Sequence, residues 1–268
     1  ARSMMNLGDR LPVDALIDEC LGVWAATATG DLDVDIPIIR DDDDLDAFLL
    51  DRLGVVLPNV VVCHDKGHTT PWQAFHDAYF GRAPVSVWKA SRGFGGKSFT
   101  LALLAWTEAL TLKADVNVLG GSGQQSARVL EAMTKFWNHP AAPRRALKGE
   151  PGTQKSSLIW GNFIKALNAS QTSVRGPHPQ RLRMDEVDEM EWGILTSALG
   201  QPMSKGPILS QVVLSSTHQY PDGTMTAVLN EAAEKNWPVY EWCFRETLEP
   251  HGWLPQAEVE RKKAQMTT

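Results

Sequence analysis

Val85 to Thr100 reads V-S-V-W-K-A-S-R-G-F-G-G-K-S-F-T. An apolar run enters a glycine-rich turn, and Lys97-Ser98 open a segment in which Leu101, Leu103, Leu104, Trp106, Leu110 and Leu112 supply the apolar residues of a helix. The order predicts strand, phosphate-cradling loop, helix. Backbone N–H groups left unpaired at a helix start point at anions, and Gly93, Gly95 and Gly96 let the backbone close around phosphate oxygens. Lys97 adds a point charge, and the Ser98 hydroxyl can ligate Mg²⁺. The stretch therefore predicts a nucleoside triphosphate site. It departs from the pattern G-x-x-x-x-G-K-[ST] at its first place, which is Ser91, followed by Arg92.

Beyond this stretch, the 268 residues are 43% hydrophobic and 22% charged, a composition that excludes disordered and collagen-like chains and is sufficient for one large core. No apolar run approaches the roughly 20 residues that span a bilayer, and A-R-S-M-M-N-L-G-D-R lacks an apolar signal core, so the expectation is a soluble, intracellular chain without a membrane partner. Cys20, Cys63 and Cys243 are far apart and odd in number, which predicts buried thiols and neither a metal cluster nor a disulfide framework. The net charge is −6, with acid concentrated between Asp31 and Asp46, and the run Asp41 to Asp44 is expected to be a solvated loop. Basic residues gather at Arg144, Arg145, Lys148, Lys155, Lys165, Arg175, Arg181 and Arg183, where contact with nucleic-acid phosphates is the functional reading.

Residues 1–60 predict a mainly helical lead-in, with Leu45, Phe48, Leu49 and Leu53 at helical spacing. From 61 to 245 strands alternate with helices. Strands are expected at Val85 to Trp88, Val116 to Leu119, Leu158 to Trp160, Arg181 to Met184, Gln211 to Leu214 and Val239 to Phe244, with helices over Ser98 to Leu112 and Ser122 to Phe136. That alternation predicts an α/β fold with a mostly parallel sheet flanked by helices on both faces, and ligands at the carboxyl ends of its strands.

Residues 181–190, R-L-R-M-D-E-V-D-E-M, deliver Asp185 and Glu186 at such a strand end. An Asp there can hold Mg²⁺ together with the loop serine, and the adjacent Glu can position and deprotonate an attacking water. Asp188, Glu189 and Glu191 are expected on the outer face of the following helix. Ser215-Ser216-Thr217 close an apolar strand and bring hydroxyls beside the γ-phosphate region; read locally they are equally a plain turn before Tyr220-Pro221-Asp222-Gly223. In T-T-P-W-Q-A-F-H, residues 69–76, Gln73 lies just inside a helix start and carries a donor and an acceptor that can pair with adenine N6 and N7.

Together P-W-Q, S-R-G-F-G-G-K-S, M-D-E and S-S-T, in this order and spacing over residues 60–245, resemble the ATPase domain of the large terminase subunit, the DNA-packaging motor of tailed double-stranded DNA bacteriophages. The resemblance implies a P-loop NTPase with the additional-strand, RecA-like core. It implies Gln73 as adenine reader, Ser91, Arg92, Gly93, Gly95, Gly96, Lys97 and Ser98 around the phosphates of ATP, and Ser98 and Asp185 on Mg²⁺. It implies Glu186 as catalytic base and Ser215, Ser216 and Thr217 as the coupling segment. The family also uses a basic side chain from a neighbouring subunit. Arg175, ten residues before Asp185, is the candidate for that trans-acting finger, and Arg92 is the in-cis alternative.

The same resemblance implies double-stranded DNA, the portal protein and the small terminase subunit as partners, a homo-oligomeric ring on the procapsid, and action in the cytoplasm of the infected bacterial host. Large terminases usually carry a ribonuclease-H-like nuclease domain after the ATPase. The chain stops at Thr268, so the expectation is an isolated ATPase domain without nuclease activity, with 246–268 beginning a linker. A helicase-like nucleic-acid-dependent ATPase and a nucleotide-binding scaffold with little turnover are the alternative readings.

Overall fold

A computed structural model describes residues 34–170 and 178–265. In chain order the elements are α1 (Asp42–Leu53), α2 (Pro71–Tyr79), β1 (Val85–Ala90), α3 (Lys97–Thr107), β2 (Val116–Gly120) and α4 (Gly123–Trp137). Next come β3 (Lys155–Ser157), β4 (Phe163–Asn168), β5 (Arg181–Asp185), α5 (Trp192–Leu199), β6 (Gln211–Ser216), α6 (Thr224–Lys235), β7 (Val239–Trp242), α7 (Phe244–Thr247) and α8 (Gln256–Gln265). The strands form one sheet in the order β3-β4-β2-β5-β6-β1-β7, parallel throughout except for the antiparallel β3–β4 pair. Strand β6 thus lies between the strand that feeds the glycine-rich loop and the strand that ends in Asp185, which is the additional-strand arrangement of a RecA-like P-loop core.

Residues alternate between the two faces of this sheet. Trp88, Val116, Val118, Ile164 and Val213 join one core with α1, α2, α3 and α4, while Val87, Leu119, Leu182, Met184, Val212 and Leu214 join the other with α5 and α6. Because both faces are covered, β2, β5 and β6 are buried along their whole length, and their sequences read as continuous apolar runs only where no polar network intrudes. The network sits at the start of β5 and β6. Buried Glu108, at the end of α3, pairs with Arg183 and lies 3.3 Å from Arg181 Nε, and Arg183 also donates to Gln211. Buried charges survive only when paired and hydrogen-bonded in this way.

Several segments depart from expectation. Leu158 to Trp160 is not a strand but the turn of a hairpin, because Gly161 adopts φ 93° and Leu158 N–H donates to Asn162 O at 2.9 Å; the strands lie on either side, as β3 and β4. The aspartate run is not a loop. Asp41 caps α1 by accepting from Asp44 N–H at 2.9 Å, and Asp42 to Asp44 occupy the first turn, where carboxylates are favoured by the helix dipole. Arg181 and Arg183 are buried in the Glu108 network and are not available to nucleic acid, whereas Arg144, Arg145, Lys148 and Lys155 are exposed. Cys63 and Cys243 are not apart: their sulfurs lie 3.7 Å from one another. Cys20 and Arg175 fall outside the described residues. Among the described residues no helix is long and apolar enough to cross a membrane.

Candidate active site

The carboxyl ends of β1, β6 and β5 are neighbours, with Trp88 paired to Ser215 and Ser215 to Asp185 across the three strands. The segments that leave these strands therefore converge on one place. After β1 the chain turns through Ser91 to Gly96 and enters α3. Gly95 is obligatory, since a Cβ there would lie 2.8 Å from Ser91 O. Gly96 has φ 67° and a Cβ on it would meet the Trp253 ring at 2.7 Å. Gly96 is also the N-cap, and no side chain caps this helix, so its first-turn donors are offered to an external anion. The loop is held from outside: Trp242 Nε1 donates to Gly95 O at 2.7 Å, and Thr247 Oγ1 donates to Phe94 O at 2.9 Å.

Lys97 is 5% exposed and its ammonium donates to Thr217 Oγ1 at 2.8 Å. Burial lowers its pKa; the carboxylates of Glu186 and Asp185 oppose that, and Arg92 adds to it. Ser98 Oγ donates to Asp185 Oδ2 at 2.5 Å, which joins the start of α3 to the end of β5. Asp185 is buried, and burial raises its carboxyl above the usual range although Ser98 and Lys97 pull it down. Its other oxygen, Oδ1, is buried with no hydrogen-bond partner. An orphaned buried carboxylate oxygen beside a serine hydroxyl is an oxygen donor set that fits Mg²⁺.

Glu186 is half-buried in the left-handed region at φ 53° and ψ 49°. Its carboxyl is raised by burial and by the Asp185 charge, and lowered by Lys97 and Arg92. A non-glycine residue held there is an uncommon backbone that clusters at functional sites. Arg92 is exposed; its charge acts on both Lys97 and Glu186, and its guanidinium donates to Gln219 Oε1 at 2.7 Å. Gln73 is exposed in the first turn of α2, which is capped by Thr70 and tied to β7 by Thr69 N–H donating to Glu241 O at 2.7 Å.

Ser215 and Ser216 are buried, and Ser216 Oγ accepts from Asp188 N–H at 3.2 Å. Asp188 overturns its expectation. It is 6% exposed and lies not on an outer face but beneath the segment after β6, where its carboxylate accepts from the backbone N–H groups of Gln219, Tyr220 and Met225 at 2.9, 3.2 and 2.8 Å. Its sequence context carried no signal of this, because the partners lie some 30 residues away. Glu189 and Glu191 are exposed.

No family model and no curated protein matches the sequence. Solved structures do. The HK97 bacteriophage large terminase superposes with a TM-score of 0.58 at 16% identity, covering 85% of this chain and 52% of that one. This is the fold of the phage large terminases. A large terminase from a thermophilic bacteriophage gives a TM-score of 0.53 at 13% identity, covering 73% of this chain and 50% of its own. The chain thus spans about half the length of the terminase structures it matches.

Proposed function

We propose that this chain hydrolyses ATP with Mg²⁺ to move double-stranded viral DNA into a procapsid. The observation that carries the reading is the meeting, at three adjacent strand ends, of Lys97 and Ser98 with Asp185, Glu186 and Thr217. The uncapped start of α3, with Lys97, receives the β- and γ-phosphates. Ser98 and Asp185 hold Mg²⁺, which when bound neutralises charge developing on the phosphate oxygens. Glu186 accepts a proton from water as the water oxygen attacks the γ-phosphorus, the bond to the bridging oxygen breaks and ADP leaves. Gln73 reads adenine. Arg175 of a neighbouring copy, or Arg92 in cis, stabilises the transferring phosphoryl group. Thr217 loses or regains its Lys97 partner as phosphate arrives and departs, which passes the event to β6.

On this reading the working form is a homo-oligomeric ring in the cytoplasm of the infected host, engaged with the portal protein and the small terminase subunit. Glu186→Gln is the direct test. Binding of a fluorescent ATP analogue should persist while single-turnover hydrolysis falls about 10²- to 10⁴-fold, the usual contribution of a general base. Turnover equal to wild type would sink the assignment.

A further inference from the structure

Cys63, His68, Cys243 and Glu246 form a second polar cluster, remote in sequence from the phosphate loop's own residues. Each offers one ligand atom, and all these atoms lie within 4.8 Å of one another. Cys63 is 2% exposed, and the His68 and Glu246 side chains are 5% and 0% exposed. We infer that these four residues form a structural zinc site.

Two of the six edges between the four ligand atoms already have the length of a zinc tetrahedron's, and all the atoms lie within 4.8 Å of one another. Zinc binds thiolate at about 2.3 Å and prefers four-coordinate tetrahedral geometry, so two thiolates on one ion stand about 3.8 Å apart. The Cys63 and Cys243 sulfurs are 3.7 Å apart, far longer than a disulfide and close to that tetrahedral edge. His68 Nδ1 and Glu246 Oε2 are 3.1 Å apart, near the edge of about 3.3 Å that zinc–nitrogen and zinc–oxygen bonds of about 2.0 Å give. The donor set, two sulfurs with imidazole and carboxylate, suits zinc and not Mg²⁺, which takes oxygen. The ligands are also aimed by their surroundings. Glu246 Oε1 accepts from Cys63 N–H at 2.8 Å, and Oε2 accepts from Cys243 N–H at 2.9 Å, the kind of outer support that fixes ligand orientation.

The position gives the ion a purpose. Cys63 and His68 lie on the segment that leads into α2 and Gln73, while Cys243 and Glu246 belong to the cap of α7, flanked by the two residues that grip the phosphate loop, Trp242 and Thr247. Zinc there would staple the approach to α2 to the strap that holds the loop.

The test is titration of the reduced, chelator-stripped chain with Co²⁺ and then Zn²⁺. One cobalt per chain should bind with the intense visible bands of tetrahedral coordination and a thiolate charge-transfer band, and one equivalent of zinc should abolish both. Cys243→Ser should lose about half of the charge-transfer intensity, as one of two thiolates is removed, and His68→Gln should retain it while binding cobalt at least 10-fold more weakly. The wild-type titration decides the matter even if a variant does not fold. Pale, octahedral cobalt spectra from wild type, or a metal-free chain with Cys63 and Cys243 joined as a disulfide, would overturn the proposal.

Discussion

Glu186 carries two burdens at once, a left-handed backbone and a carboxyl raised by burial and by Asp185. The first costs about 1–2 kcal/mol for a residue with a Cβ. The second sets the pH at which a base in this position works. A base must be deprotonated, so hydrolysis should fall as pH drops through the raised value of Glu186, above the value of about 4.3 of a free glutamate. A profile of single-turnover rate against pH checks this; an acid limb at or below the free value would contradict the assignment of Glu186 as base. Among single residues the sequence was informative where chemistry demands a residue type. Lys97, Ser98, Asp185 and Glu186 are adjacent to the motifs that name them, and the fold brings them together. Asp188 was illegible, since an aspartate two places beyond D-E reads as solvated until the chain from Gln219 to Met225 folds over it.

Asp188 acts between elements, because it is the clamp that joins the end of β5 to the segment leaving β6. Its carboxylate satisfies three backbone donors, and removing it strands those that stay buried. Leaving buried donors unpaired costs about 1–3 kcal/mol each. Asp188→Ala should therefore lower the unfolding free energy by roughly 2–4 kcal/mol, measured by urea denaturation, and Asp188→Asn by less. A loss under about 0.5 kcal/mol, the range of ordinary surface substitutions, would mean the clamp is not needed. The elements themselves were legible in proportion to their periodicity. The strands ending at Ala90, Gly120 and Ser216 were evident as apolar runs, whereas a single strand was expected at Leu158 to Trp160, where the chain in fact turns between β3 and β4, because those three residues are apolar and only Gly161-Asn162 reveals where the chain reverses.

For the molecule as a whole, alternation of strands and helices was enough to predict a mostly parallel, doubly covered sheet. The order of the strands was not readable from composition; it followed from motif resemblance and is set physically by which faces pack, with β6 buried on both sides between β1 and β5. The proposed ring makes a prediction of its own. Arg175, between β4 and β5 in sequence and outside the described residues, is proposed to act on a neighbour's nucleotide. Arg175→Ala subunits mixed with Glu186→Gln subunits should recover measurable steady-state hydrolysis that neither shows alone, since an arginine finger contributes about 10³- to 10⁵-fold. Absence of rescue in assembled rings would assign the finger elsewhere, with Arg92 next in line.

The indole of Trp253, laid on Gly96 and 5.3 Å from the Phe99 ring, gives the chain a built-in optical reporter. Whatever settles on the first turn of α3 alters the electric field at that indole, so emission should shift on titration with ATP without any attached dye. Trp253→Phe should silence most of that change while equilibrium dialysis still records binding. A signal that survives the substitution would locate the responding indole elsewhere, with Trp242 the first to examine.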